Sequence, residues 1–134
     1  MALEILILDD EAIVGERLKA ALEKQGHRVE AFINPIRALE RIDNKMFDIV
    51  VTDIRMDDMD GIEILERVQE KSRRTKVIMI TGYATLEVAR ESLAKGAFNF
   101  IAKPFKLKEM RDAIDKAMTA LSTEDQKLPE RHTS

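Results

Sequence analysis

Ile49-Val50-Val51-Thr52-Asp53 decides how this chain is read: three β-branched residues, a threonine, then a carboxylate. The run is short, apolar and bounded by polar residues, which marks a strand buried on both faces, as parallel strands are. Its last residue carries the chemical interest. In an open parallel sheet, ligands bind beyond the carboxyl ends of the strands, where strand order reverses. Asp53 falls at such an end.

Similar runs lie on either side. Ile5-Leu6-Ile7-Leu8 precedes it and Val77-Ile78-Met79-Ile80 follows it. Two weaker runs, Arg28 to Phe32 and Phe98 to Ala102, alternate enough for edge strands. Helical spacing fills the gaps. Val14, Leu18, Ala21 and Leu22 share a face, stopped by Gly26. Ile36, Leu39 and Ile42 share a second, opened by Asn34-Pro35, a cap followed by proline at the first helical position. Ile62, Leu65 and Val68 make a third; Leu86, Ala89 and Leu93 a fourth, stopped by Gly96. Leu107, Met110, Ile114, Ala117, Met118 and Leu121 make a fifth. Strand and helix thus alternate five times, which predicts an α/β fold with a five-stranded parallel sheet and helices on both faces. Residues 1–121 are expected to form the one domain. From Ser122 to Ser134 the chain turns polar, carries Pro129 and reads as a tail or the start of a linker.

Composition narrows the function. The 134 residues and 15.3 kDa suit a single domain with an ordinary core. There is no cysteine, hence no disulfide, thiolate nucleophile or Cys-ligated zinc. His27 and His132, the two histidines, lie far apart, against a histidine metal site or a Ser-His-Asp triad. With 22 Lys+Arg against 25 Asp+Glu and a pI near 5.5, the chain lacks the basic face that direct nucleic-acid binding needs. Lys71, Arg73, Arg74 and Lys76 cluster, but a solvated turn explains them. No apolar run approaches the ~18 residues of a membrane span. The start, Met1-Ala2-Leu3-Glu4, does not read as a signal peptide. The expectation is a soluble, cytoplasmic protein.

The strand ends carry the chemistry. Asp9, Asp10 and Glu11 follow the first run, Asp53 the third, Thr81-Gly82 the fourth, and Lys103-Pro104 the fifth. Each has a plain structural explanation; Asp9 or Asp10, for example, would serve as a helix cap. Their joint placement is the signal. Carboxylates gathered at one edge repel one another unless positive charge lies among them. Lys103 supplies one charge. A hard divalent cation held by oxygens supplies the rest. No phosphate-binding glycine loop is present, so a bound nucleotide is not the obvious source of phosphate.

These motifs resemble the receiver domains of two-component response regulators. The likeness runs from about residue 3 to 121. It rests on Leu8-Asp9-Asp10-Glu11; on Val51-Thr52-Asp53-Ile54-Arg55-Met56 with Met59-Asp60-Gly61; on Ile80-Thr81-Gly82; and on Gly96-Ala97 with Ala102-Lys103-Pro104-Phe105. Ile80-Thr81-Gly82-Tyr83-Ala84 and Phe100 to Phe105 look most like the nitrogen-regulation, enhancer-binding subclass. The resemblance implies a flavodoxin-like (βα)5 three-layer sandwich with strand order 2-1-3-4-5. It makes Asp53 the phosphoacceptor, taking a phosphoryl group from a sensor histidine kinase or a histidine phosphotransfer protein. It gives Mg²⁺ (or Mn²⁺) to Asp9, Asp10, Asp53 and the main-chain carbonyl of Arg55. Lys103 would pair with a phosphoryl oxygen, and Thr81 would donate its hydroxyl to one. Phe100, three positions before the lysine, would swing inward as Thr81 moves.

The same likeness implies a switching surface on the fourth helix, fifth strand and fifth helix, which would bind the next component or a second copy in a homodimer. It also makes Lys103-Pro104 a candidate cis peptide. Arg55 and Tyr83 would flank the phosphoryl group and tune its hydrolysis. Many members have proline where this chain has Asp57, followed by Asp58, a departure that puts loop rigidity in question. The tail fits a free-standing receiver and one preceding a transcriptional output domain.

Two other readings use parts of the same pattern. A haloacid-dehalogenase-like phosphatase also has an aspartate nucleophile, Mg²⁺, a hydroxyl and a lysine. It would need Asp-x-Asp after the first strand, where this chain has Asp9-Asp10-Glu11, and more length. A flavodoxin-like electron carrier would need a hydroxyl-rich phosphate loop and aromatics to hold a flavin.

Overall fold

The computed structural model describes residues 2–56, 59–83 and 85–133, with 127–133 as backbone only. Five strands alternate with five helices: β1 (Glu4–Leu8), α1 (Ala12–Lys24), β2 (Arg28–Phe32), α2 (Pro35–Asn44), β3 (Ile49–Asp53), α3 (Gly61–Lys71), β4 (Lys76–Thr81), α4 (Leu86–Ala94), β5 (Asn99–Ala102) and α5 (Leu107–Thr133). The strands form one parallel sheet in the order β2-β1-β3-β4-β5, with the two weaker runs at its edges, as expected.

The apolar runs lack alternation because each strand feeds two cores. Successive side chains point to opposite faces. Ile5, Ile7, Ile49, Val51, Ile78 and Ile80 face α1 and α5, where they meet Leu18, Leu22, Met110 and Ile114. Leu6, Leu8, Val50, Val77 and Met79 face the other layer and meet Ala38, Ile42, Leu65 and Val68. Each buried aliphatic side chain is worth about 1.5–3 kcal/mol, so the central strands dominate the fold's stability. A one-residue slip would exchange the two cores and is strongly disfavoured.

Local signals place most helix ends. Asn34 Oδ1 accepts from the backbone N–H groups of Ile36 (2.9 Å) and Arg37 (3.2 Å), capping α2. Gly26 and Gly96 end α1 and α4 with φ of 93° and 103°, a region that side chains with a Cβ avoid.

Two helices bury faces other than the spacing suggests. In α2, Ala38 is buried and Ile36 is 55% exposed. In α4, Leu86 and Leu93 lie outward, while Ser92 is fully buried and Val88 packs on the core. Ser92 fits there because its hydroxyl donates to the Val88 carbonyl oxygen at 2.9 Å. A polar residue satisfied within its own helix costs little to bury.

The expected polar tail is helical in its backbone, since α5 continues to Thr133. Its apolar periodicity does end at Leu121, but ion pairs replace apolar contacts. Arg74 donates from Nε (2.9 Å) and Nη2 (2.8 Å) to Asp125, and from Nη1 (2.6 Å) to Asp48. Lys76 Nζ donates to Glu124 at 2.6 Å. Arg74 holds the Asp125 carboxyl below its ordinary range. Two members of the basic cluster are therefore fasteners between α5 and the start of β4, and Lys71 donates to the Ile42 carbonyl. The described residues contain no helix long and apolar enough to cross a membrane.

His27 has a structural role. It is 6% exposed, and its Nδ1 accepts from the Leu3 backbone N–H at 3.1 Å. Burial lowers its pKa below the ordinary value, and the acceptor role requires the neutral ring. The folded state therefore binds fewer protons than the unfolded chain. The contribution from His27 is complete above the unfolded pKa near 6.5 and declines as pH falls through the lowered folded value. Thermal melts from pH 7.5 to 5 are expected to show wild type losing stability faster than His27→Gln, whose amide oxygen can accept from Leu3 without titrating. Parallel loss in both proteins would exclude the His27 contribution.

Candidate functional site

The site forms where β1, β3 and β5 end. Asp9 follows β1 and is anchored by its own N–H, which donates to the Phe32 carbonyl at 3.1 Å. Its Oδ1 accepts from the Glu11 N–H at 2.8 Å, closing a tight turn ahead of α1. Asp9 thus shapes the turn rather than capping the helix; the N-cap is Glu11, without a side-chain bond. Asp53 is the last residue of β3, and its Oδ1 accepts from the Arg55 N–H at 3.1 Å. Lys103 follows β5, its N–H donating to the Thr81 carbonyl at 2.8 Å. The Lys103-Pro104 peptide is cis.

One ammonium group joins these strand ends. Lys103 Nζ lies 2.7 Å from Asp9 Oδ2, 2.8 Å from Asp53 Oδ2 and 2.9 Å from Glu11 Oε1. The Asp9 side chain is wholly buried, those of Asp53 and Lys103 nearly so, while that of Glu11 is largely exposed. Burial raises the Asp9 pKa above its ordinary value, with the nearby ammonium opposing the shift. For Lys103, burial favours the neutral amine, but its close contacts with Asp53, Asp9 and Glu11 outweigh it and raise the pKa. At neutral pH the lysine is fully charged.

The sequence-derived site residues divide into two groups. Asp9, Asp10 and Asp53 place one carboxylate oxygen each within 4.8 Å of one another, a grouping that can hold a metal ion. Lys103 joins Asp9 and Asp53 directly. Asp9 Oδ2 suits a cation as well, being buried with the ammonium near it but without a well-angled hydrogen bond. All-oxygen donors suit a hard divalent ion.

Thr81, Arg55 and Phe100 stand around this cluster. Thr81 is fully buried at the end of β4, and its Oγ accepts from the Tyr83 N–H at 3.0 Å, leaving its hydroxyl proton available. The Arg55 guanidinium lies 4.3 Å from the centre of the exposed Tyr83 ring. Phe100 sits half-buried on β5, paired with Met79 and packed on the α2–α4 side of the core. Asp57 and Asp58 lie outside the described residues.

In sequence Glu11 is only a third acid after β1. Its contact with Lys103 spans 92 residues, and no local pattern announces it. The run Asp9-Asp10-Glu11 was the sole available signal.

These features agree with comparison to known proteins. Residues 5–115 match the family model for the response regulator receiver domain. The chain belongs to this family. The regulatory protein AtoC of Escherichia coli (strain K12) is 40% identical over 114 residues, covering 85% of this chain and 25% of that protein. Sporulation initiation phosphotransferase F of Bacillus subtilis (strain 168) is 35% identical over 113 residues, 84% of this chain and 91% of that protein. Among solved structures, the beryllofluoride-activated NtrC4 receiver domain dimer superposes with a TM-score of 0.83 at 30% identity, covering 87% of this chain and 97% of that one. The receiver spans about a quarter of the length of AtoC and similar transcriptional regulatory relatives.

Gly61 fixes the height of Asp53. The first residue of α3 approaches the end of β3 so closely that a Cβ there would lie 2.2 Å from the Asp53 carbonyl oxygen and 2.7 Å from Ile54 Cα. Its N–H donates to the Ile54 carbonyl at 2.7 Å. These neighbours are backbone atoms and cannot rotate away. Gly61→Ala is expected to cost about 1–3 kcal/mol in denaturant unfolding and to displace the Arg55 amide signal. Unchanged stability and an unchanged spectrum would contradict this close packing.

Proposed function

We propose that Asp53 accepts a phosphoryl group from a phosphohistidine donor, a sensor histidine kinase or a histidine phosphotransfer protein. The observation that carries the reading is the position of the Asp53 carboxylate at the end of β3. It is held between the Arg55 N–H and the Lys103 ammonium, inside a group of acids. In the reaction an Asp53 oxygen forms a bond to phosphorus as the donor's P–N bond breaks. That bond's electron pair leaves with the imidazole nitrogen. Lys103 is already charged and near the reacting oxygens, and follows the phosphoryl group as a flexible point charge.

Asp9, Asp10 and Asp53, with the main-chain carbonyl of Arg55, are the residues that would hold Mg²⁺ or Mn²⁺. When bound, such an ion offsets the repulsion between the carboxylates and the phosphoryl oxygens. We assign the domain no substrate turnover beyond its own phosphorylation and slow dephosphorylation.

Switching follows from what the phosphoryl group attracts. The Thr81 hydroxyl, free to donate, turns toward a phosphoryl oxygen and draws the chain after β4 inward. Phe100 then moves into the space released. The surface of α4, β5 and α5 changes with it, biasing a pre-existing equilibrium. Outward-facing Leu86 and Leu93 on α4 supply apolar contact area for a partner or a second copy. The NtrC4 receiver neighbour, a dimer, supports the second-copy reading. For a chain joined to a longer regulator, this surface controls transcription through the output domain. The setting for this chemistry is the cytoplasm.

Incubation with acetyl phosphate and Mg²⁺ is expected to add one phosphoryl group to wild type, measured by intact mass. Asp53→Asn or a chelator should abolish the addition. No addition to wild type, or equal addition to Asp53→Asn, overturns the assignment.

The Arg55–Tyr83 stack is proposed to restrict water at the phosphoryl group. An exposed cation–π contact is worth about 0.5–1 kcal/mol. Replacing both residues by alanine should therefore shorten the phosphate lifetime by roughly two- to fivefold. An unchanged lifetime would remove these side chains from the account.

A further inference from the structure

The Lys103 ammonium has three N–H donors. Two make well-aligned hydrogen bonds, to Asp53 Oδ2 at 2.8 Å and to Glu11 Oε1 at 2.9 Å. Asp9 Oδ2 lies nearer still at 2.7 Å, yet it has no hydrogen bond of good angle and is fully buried. Of the three carboxylates around the ammonium, only that of Glu11 is largely exposed. Burial makes an unsatisfied oxygen expensive, whereas an exposed carboxylate finds water when released. The Glu11 contact is accordingly the one of the three that can be given up at least cost.

We propose that Glu11 is a positioning residue that occupies Lys103 in the unphosphorylated state and yields it to a phosphoryl oxygen on Asp53. The inference rests on the phosphoacceptor reading and deepens it. Every oxygen brought to the ammonium by an incoming phosphoryl group competes with carboxylates already there. Asp53 must stay within reach because it carries the new bond. Asp9 is held by its turn, with Oδ1 on the Glu11 N–H. Only the Glu11 side chain is free to swing into solvent. Its charge opposes the phosphorylated state twice, by competing for Lys103 and by repelling the phosphoryl oxygens. Glu11 therefore lowers the standing affinity of the site for the phosphoryl group.

Beryllofluoride, a phosphoryl mimic, tests this at saturating Mg²⁺ with wild type, Glu11→Gln and Asp53→Asn. Glutamine keeps the length and the acceptor oxygen but removes the charge. Exposed ion pairs contribute up to about 1 kcal/mol, so Glu11→Gln should bind the mimic ~3–5-fold more tightly than wild type. The ¹⁵N signal and proton exchange rate of the Lys103 ammonium supply a readout that general stability does not move. In the free proteins Glu11→Gln should shift the signal and speed exchange. With Mg²⁺ and beryllofluoride bound, wild type and Glu11→Gln should coincide, because Glu11 has let go. Equal or weaker affinity in Glu11→Gln overturns the proposal, as does an unaltered free-state signal or a difference that persists in the bound state. If wild type itself fails to bind the mimic, or Asp53→Asn binds it equally, the phosphoacceptor reading fails first.

Discussion

The ammonium of Lys103 holds this structure's purpose together. Asp9 and Asp53 are carboxylates with almost no exposed side-chain surface, and Asp10 adds a third negative charge beside them. Buried like charges at such separations are unfavourable unless something positive lies between them. Lys103 provides that charge from the opposite end of the sequence, and its own charge is secured by the same acids. Removing one partner of such a group costs far more than the pair itself contributes, because the other is left buried and unpaired. The site is therefore stable in its resting form and short of positive charge for any further anion.

That arrangement depends on the parallel sheet. With every strand pointing the same way, the residues after β1, β3, β4 and β5 emerge on one edge. The order 2-1-3-4-5 sets β1 and β3 side by side, so Asp9 and Asp53 become neighbours although far apart in sequence. The two apolar cores fix the register, and the register fixes the heights of the carboxylates. Gly61 completes the placement by letting α3 press on the backbone of Asp53 and Ile54. Chemistry at this edge is thus paid for by burial of the strands beneath it.

Much of this was legible in sequence because the decisive signals are local. A β-branched run followed by a carboxylate names both a central strand and the acid at its end. Asn34-Pro35, Gly26 and Gly96 name helix ends by backbone chemistry alone. Features missed in sequence depend on pairings across long separations. Glu11 meets Lys103 only once β1 and β5 share an edge. Arg74 meets Asp125 only once α5 has crossed the sheet, so a segment without apolar spacing read as a tail although its backbone is helical. In α4 the apolar spacing of Leu86, Ala89 and Leu93 pointed to the wrong face. Ser92 satisfies its hydroxyl inside the helix and can be buried, which leaves two leucines outward. That departure from the sequence pattern falls on the surface we propose to switch on phosphorylation.

The most direct test of the central claim is the Mg²⁺ dependence of unfolding stability for wild type and Lys103→Met, measured by denaturant titration. If the ammonium and a divalent cation neutralise the same carboxylates, Lys103→Met must gain more stability from Mg²⁺ than wild type does, with half-saturation at lower Mg²⁺. Equal Mg²⁺ dependence in the two proteins, or none in either, would contradict the account.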